Sequence, residues 1–392
     1  MRHNLNELSI LTGNIESVKS AAPLAPFSDE VILFLNDLSK RLMPEKEFPD
    51  IVTLAFWIRK ASLTKEKNKY DDLNMRLGRG IVFHIAPSNV AVNFAYSLTA
   101  GLLSGNANVI RLPSKKFTQV DIITTAVNEL INGSHKNMFP YICMVQYPVN
   151  KDISDHLSKM CDIRVIWGGD KTIANLRQSP LKPRAYEITF ADRYSAAIIN
   201  ADLYLKEENK QKVAQNFYND TYLNDQNACT SPHIIFWMGE KKSEAKNLFW
   251  NNVNKLAREK YELTAVQAAG KLSALYKTAA NACACSAKST DNYVIRAEID
   301  NIPENLMDFK YNSGFFFEHD ISDLSEILPL CGKKFQTLTY YGLEHEIFEN
   351  FFFKYKPQGI DRVVPLGSSM DFSLVWDGHD LIREMSRKYL IN

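Results

Sequence analysis

The chain has 392 residues, of which 45% are hydrophobic and 23% charged, an ordinary globular composition with room for two domains. Lysine and arginine total 46 against 45 aspartates and glutamates, a formal charge of +1. That balance offers no basic surface to a nucleic acid and no polybasic face to a membrane.

Residues 1–75 read as helical. The opening "MRHNLNELSI" has no apolar signal core, so a cytoplasmic location is expected. Amphipathic runs follow at "SDEVILFLNDLSKRL", with Ser28 as its N-cap, and at "PDIVTLAFWIRKASL". From Gly80 the rhythm changes. "GIVFHIA" is a short strand, "PSN" a turn and "VAVNFAYSLTAGLLSG" a helix; "ANVIRLP" is the next strand and "FTQVDIITTAVNELI" the next helix. "YICMVQYP" and "IRVIWGG" are further strands around the helical "DISDHLSKM". The uncharged stretch Ile85 to Ile110 is long enough to cross a bilayer, but it carries Pro87 and the amides of Asn89, Asn93, Asn106 and Asn108. No membrane span is expected there. "YSAAIIN" is another strand, followed by a helical segment, the loop around Cys229 and the strand "PHIIFW". Residues 240–350 mix the helical "TAVQAAGKLSALYKTAA" with β-like "NYVIRAEI" and "GFFFEH", and the tail returns to strand and then helix. Short apolar strands alternating with helices predict βαβ units and a parallel sheet of the nucleotide-binding kind.

Six cysteines are scattered along the chain, so no disulfide framework is expected. Cys283 and Cys285 form a C-x-C with no second ligand pair at zinc spacing, and they read as small side chains on a helix; no metal site is expected. Cys229 sits in "LNDQNACTSPHIIF", where Asn224, Asp225, Gln226 and Asn227 precede it and Thr230, Ser231 and Pro232 follow. Such a polar turn poorly suits a purely packing cysteine, and a reactive thiolate needs nearby donors of this kind; on the loop alone the packing and the nucleophile readings both stand. Asn89 stands at a strand end, where its carboxamide either donates to a developing oxyanion or caps the next helix. Gly168 and Gly169 follow a strand and open a helix, which lets backbone approach a phosphate or nicotinamide; Asp170 serves equally as an N-cap.

The segments "HIAPSNVAVNFAYSLTAGLLSGNANVIRLPSK", "VIWGGDKTIANLRQSPLKPRAYEITFADRYSAAII", "YNDTYLNDQNACTSPHIIF" and "RVVPLGSSMDFSLVWDGHDLIREMSR" together resemble the LuxC-type fatty acyl-CoA reductases of the aldehyde dehydrogenase superfamily. The resemblance covers about residues 75 to 392. It implies an α/β, aldehyde dehydrogenase-like fold: a Rossmann-type cofactor domain plus an α/β catalytic domain. The expected division is an N-terminal helical segment 1–75, an NADP-binding domain 76–203, a catalytic domain 204–355, and a segment 356–392 returning to the cofactor domain or an oligomer interface. It also implies reduction of a fatty acyl thioester, acyl-CoA or acyl-protein, to the aldehyde through an S-acyl intermediate. An acyl-protein synthetase partner and a homo-oligomer go with that reading.

By the same resemblance Cys229 is the nucleophile and Asn89 the oxyanion-hole amide. Pro87, Ser88, Arg111, Pro113, Ser114, Lys115, Gly168 and Gly169 line the cofactor. Lys115 of "RLPSK" stands where the superfamily has a ribose-binding glutamate. A lysine there, helped by Arg111, attracts a 2′-phosphate, which favours NADPH over NADH. Glu187 in "RAYEITF" stands where the general-base glutamate opens its motif, but the glycines that should follow are absent. A thioester reductase needs no base to activate water. Glu318 is the one match offered for a second ribose-binding glutamate, and His233 and His379 are read as structural rather than as proton shuttles. Two other functions fit the residues: NAD(P)-dependent oxidation of aldehydes to acids, dependent on Glu187, and a non-redox acyl carrier in a transfer complex.

Overall fold

The computed structural model describes residues 7–88, 90–281, 285–289 and 291–391. The chain forms two compact units, one comprising the stretch up to Ala191 together with Phe372 onward, the other Asp192–Asp371.

The first unit holds β1 (Ser9–Thr12), β2 (Arg76–Gly78), β3 (Ile81–Ile85), β4 (Ala107–Arg111), β5 (Ile142–Gln146), β6 (Ile163–Trp167) and β7 (Tyr186–Phe190). Six of them make a sheet in the order β1-β5-β4-β3-β6-β7, with β1 antiparallel and the rest parallel. β3 to β6 are buried almost throughout, as strands covered on both faces must be. Helices Asn93–Leu103, Thr118–Asn132, Lys151–Met160 and Asp170–Leu176 make the successive crossovers. Chain order runs outward from β3 on one side and outward through β6 on the other. The crevice at the C-terminal ends of β3 and β6 is therefore the switch point where this architecture binds ligands.

Residues 7–75 are no separate segment. Val31, Phe34, Leu35 and Leu38 of the helix Asp29–Leu42, with Ile51 and Leu54, share one core with the sheet. Ser28 takes the N-cap position, yet its hydroxyl makes no capping bond. At the other end of the chain Val375–Trp376 pairs with His379–Asp380 across Asp377 and Gly378, both at positive φ, as a two-residue Asp-Gly hairpin requires.

The second unit holds β8 (Tyr194–Asn200), β9 (Pro232–Met238), β10 (Cys285–Lys288), β11 (Ile295–Ile299), β12 (Phe315–Asp320), β13 (Phe335–Tyr341) and β14 (Arg362–Pro365). Their order is β10-β11-β12-β9-β8-β13-β14, all parallel but β10. Alternate residues of the central strands feed two cores. Ala196, Ile198, Ile234 and Phe236 point one way, and Ala197, Ile199, Ile235 and Trp237 the other.

Three further sequence expectations are corrected. The division between units falls after Ala191, not at 203, because "YSAAIIN" becomes β8 at the centre of the second sheet; an apolar run reports burial, not which strands it pairs with. The segment expected at 356–392 divides, with residues up to Asp371 in the second unit and the rest in the first. Cys285 begins a strand rather than continuing a helix, which ends at Asn281; Cys283 lies outside the described residues.

Candidate active site

Cys229 lies on the loop joining a short helical turn, Tyr222–Asn224, to β9. It is partly exposed, whereas Cys143, Cys161 and Cys331 are buried. Burial pushes each of those three thiols up to about 12, so none is a nucleophile near neutral pH.

The loop's backbone is unusual. Asp225 and Gln226 are consecutive non-glycine residues in the left-handed region, at φ 52 and φ 60, a conformation that costs on the order of 1 kcal/mol per residue. The side chain of Gln226, 1% exposed, holds it there. Its Nε2 donates to the carbonyls of Pro232 at 2.9 Å and Phe315 at 3.1 Å, and its Oε1 accepts from the Gly314 N–H at 3.0 Å. Tyr261 donates its hydroxyl to Asp225 Oδ1 at 2.7 Å, and Asn312 donates to Asn227 Oδ1. Behind them the buried ammonium of Lys271 donates to the carbonyls of Asn292 and Ser313, while the Ser313 N–H donates to the Asp225 carbonyl at 3.0 Å.

On the far side Met370 accepts from the Thr230 hydroxyl at 3.2 Å, through its thioether sulfur. Its own loop is anchored on Asp220, which accepts from the N–H groups of Gly367 at 2.6 Å and Ser369 at 2.9 Å. Burial raises Asp220 to about 6 in spite of those two amides.

Cys229 itself is held from β8 and β13. Ser195 donates its hydroxyl to the Cys229 carbonyl at 2.7 Å, and Gln336 on β13 donates from Nε2 to the Cys229 sulfur at 3.3 Å. Lys310 couples electrostatically to the same cysteine. Desolvation and the nearby Lys334 lower its pKa, while Asp192 and a thiolate at Cys229 act the other way. His233 starts β9 beside this group. Burial, with the Lys310 charge, depresses it to about 3, so its ring is neutral near pH 7 and is no general acid there.

The expected cofactor residues of the first unit gather on one edge. Pro87 and Ser88 follow β3, Pro113 to Lys115 follow β4, and Gly168 and Gly169 follow β6, all at C-terminal strand ends. The Gly168 N–H donates to the Phe190 carbonyl, and Gly169 is the N-cap of the next helix. Phe190 stacks on Trp167 at 3.6 Å, and His379 meets Phe190 edge-on while bonded to the Glu384 carboxylate at 3.0 Å. Arg111 is turned to Tyr147, donating to its carbonyl at 3.3 Å and lying 4.4 Å from its ring centre. Lys115 is exposed. This edge fits a nucleotide: it offers main chain at a glycine pair and an exposed cation, with no carboxylate among Pro113–Lys115 to repel a phosphate.

Asn89 lies outside the described residues. Glu187 is elsewhere in the first unit. It pairs with Arg164 near the start of β6, so it sits toward the N-terminal end of its strand, opposite the cofactor edge. Its carboxylate receives Arg164 at 2.6 Å and Arg177 at 2.8 Å. Glu318 is wholly buried in the second unit, where its Oε1 accepts from the indoles of Trp237 at 2.9 Å and Trp250 at 2.6 Å; it holds no ribose. Sequence reasoning missed Gln336 and Ser195. The available signal was a polar pair, Gln336-Thr337, between the apolar Phe335 and Leu338 of a β-like run.

Among the described residues no three histidine, cysteine or acidic side chains converge as metal ligands, and no helix is long and apolar enough to cross a membrane. The family model "Acyl-CoA reductase (LuxC)" matches residues 22–388. Two curated relatives, both long-chain acyl-protein thioester reductases, are 24% identical over 336 residues (Photorhabdus laumondii) and 23% identical over 319 residues (Vibrio harveyi). Each alignment covers 79% of this chain, but the chain spans only 62% and 63% of those proteins' lengths. Among solved structures, a lactaldehyde dehydrogenase superposes with a TM-score of 0.67 at 11% identity, covering 96% of this chain and 89% of its own. A NAD-dependent benzaldehyde dehydrogenase from Corynebacterium glutamicum gives 0.63 at 11% identity, covering 99% and 95%. The fold is that of the aldehyde dehydrogenases.

Proposed function

Because the chain belongs to the acyl-CoA reductase (LuxC) family, we propose that it reduces a long-chain acyl thioester to the aldehyde with NADPH, through an S-acyl intermediate on Cys229. The observation that carries this reading is the contrast among cysteines. Cys229 alone of the four described free thiols is partly exposed, and it has an amide donor on its sulfur.

The Cys229 thiolate attacks the thioester carbonyl, and the carbon–sulfur bond to the donor breaks, releasing the donor thiol with a proton. A bound reduced nicotinamide would supply the hydride to the S-acyl carbonyl. The resulting thiohemiacetal gives up the aldehyde and returns Cys229 to its thiolate. The Cys229 backbone N–H and Asn89 are the proposed oxyanion donors. Lys310 couples electrostatically to the sulfur, and a thiolate there favours its charged form. Pro87, Ser88, Pro113, Ser114, Gly168 and Gly169 would hold the nucleotide, with Lys115 at its 2′-phosphate; Arg111 is already engaged by Tyr147. Glu187, held between two arginines, is assigned no part in the reaction.

The names of the relatives favour an acyl-protein donor over free acyl-CoA, and a partner that delivers it. The test is intact-protein mass after incubation with long-chain acyl-CoA or acyl-protein, without NADPH. An adduct on Cys229 is expected, absent in Cys229→Ala and discharged as aldehyde when NADPH is added. A wild-type protein of unchanged mass would sink the covalent step.

A further inference from the structure

We propose that Gln336 is a catalytic residue that holds and orients the Cys229 sulfur through the N–H of its carboxamide. This inference rests on the reading of Cys229 as the nucleophile and adds a group that the motifs around the cysteine do not contain.

Three observations carry it. The first is contact with the reacting atom itself, Gln336 Nε2 to Cys229 Sγ at 3.3 Å, from a side chain that is wholly buried. The second is orientation. The Thr337 hydroxyl lies 3.5 Å from Gln336 Oε1, so the carbonyl end of the amide faces Thr337 and the NH2 end faces the sulfur. The third is the backbone. Between Phe335 and Leu338 β13 advances three residues while β8 advances two, an extra residue that falls at Gln336-Thr337. Between Pro232 and Ile234 β9 likewise advances two residues against one on β8. Bulges are infrequent between parallel strands and re-aim side chains; here both neighbours of β8 carry an irregularity flanking Ser195.

Ser195 closes the arrangement. Its hydroxyl donates to the Cys229 carbonyl at 2.7 Å and accepts the Thr337 N–H at 3.1 Å. The cysteine is thus gripped at its carbonyl through Ser195 and at its sulfur by Gln336. An ordinary ladder would bury the Thr337 N–H in strand pairing and send the glutamine side chain elsewhere.

An amide donor on sulfur favours the thiolate and fixes the direction of its lone pairs, so its loss has a sign. The experiment is the pH profile of alkylation of Cys229 by iodoacetamide, followed on the peptide that carries it, in wild type, Gln336→Met and Gln336→Glu. The charged and titratable groups coupled to this corner are Lys310, Asp192, Lys334 and His233. They are common to all three proteins, so differences isolate residue 336. Gln336→Met keeps the volume and removes the donor; its alkylation midpoint should rise by about one to two pH units, the worth of one hydrogen bond to a charged group. Gln336→Glu sets a carboxylate against the sulfur and should raise it further. Thermal melting reports whether each variant is folded. A folded Gln336→Met whose midpoint is unchanged or lower overturns the proposal. The acyl-enzyme experiment does not decide this one: Cys229 without acyl transfer refutes the function, while Cys229 indifferent to Gln336 refutes only the glutamine's role.

Discussion

Substituting Glu187 separates a structural carboxylate from a catalytic one. Its partner Arg164 is 2% exposed and donates to Glu187 Oε2 from Nε at 2.8 Å, to Ser158 Oγ at 3.0 Å and to the Ser179 carbonyl at 2.8 Å. Glu187→Gln keeps an acceptor oxygen but removes the charge, leaving a buried guanidinium uncompensated. Breaking a buried pair in this way costs about 3–5 kcal/mol. The Arg177 side chain is 59% exposed, so its share of the loss is under about 1 kcal/mol. A net loss of about 3 kcal/mol is expected, which lowers the melting temperature of a unit of this size by roughly 6–12 °C. Replacing both partners, Arg164→Met with Glu187→Leu, should recover part of that loss, because the desolvation cost of the cation goes with the charge. The activity readout is acylation and aldehyde formation per folded molecule at low temperature, which should stay within about twofold of wild type, the change expected when no transition-state contact is lost. A Glu187→Gln protein that melts like wild type but loses acylation or reduction by orders of magnitude would refute the argument and restore the general base.

Two further outcomes follow from the described geometry. Lys115→Glu should lower kcat/KM with NADPH roughly ten- to hundredfold while sparing NADH, the worth of one charge-assisted contact to phosphate. Arg111→Met should do much less, since that guanidinium already serves Tyr147; equal losses with both nucleotides would remove Lys115 from the phosphate. Asp220 gives a pH signature. Its folded pKa of about 6 lies above the ordinary 3.8 of an aspartate, so the native state binds the extra proton between those limits. This group's contribution is therefore complete below about pH 4 and is lost as pH rises through 6. Urea midpoints should show Asp220→Asn gaining on wild type from pH 4 to pH 7, and a difference independent of pH would contradict the burial argument.

Much of the fold was legible because burial on two faces writes a plain signal. "IVFHI", "IRVIW" and "PHIIFW" became central parallel strands. Partnership was not legible. Nothing in "YSAAIIN" says that it pairs with β9 and β13 rather than with β6, since its side chains meet apolar neighbours in either sheet. Glu187 misled because its position near a family motif says nothing of strand polarity. The pairing of Glu187 with Arg164, near the start of two parallel strands, decides which end of the sheet it faces.

The loop that carries Cys229 shows the same division more sharply. The polar side chains of "NDQNACT" suggested donors for the Cys229 sulfur, but three of them serve the loop's own scaffold. Gln226 bonds three backbone groups, Asp225 receives Tyr261, and Asn227 receives Asn312. These contacts offset the cost of two left-handed residues just before the cysteine. A buried donor that does reach the sulfur comes from Gln336, far along the chain on another strand. Local polarity thus marked the Cys229 loop because it shapes the backbone there. The group on the sulfur is set by the register of β13 against β8, which a single chain read residue by residue does not display.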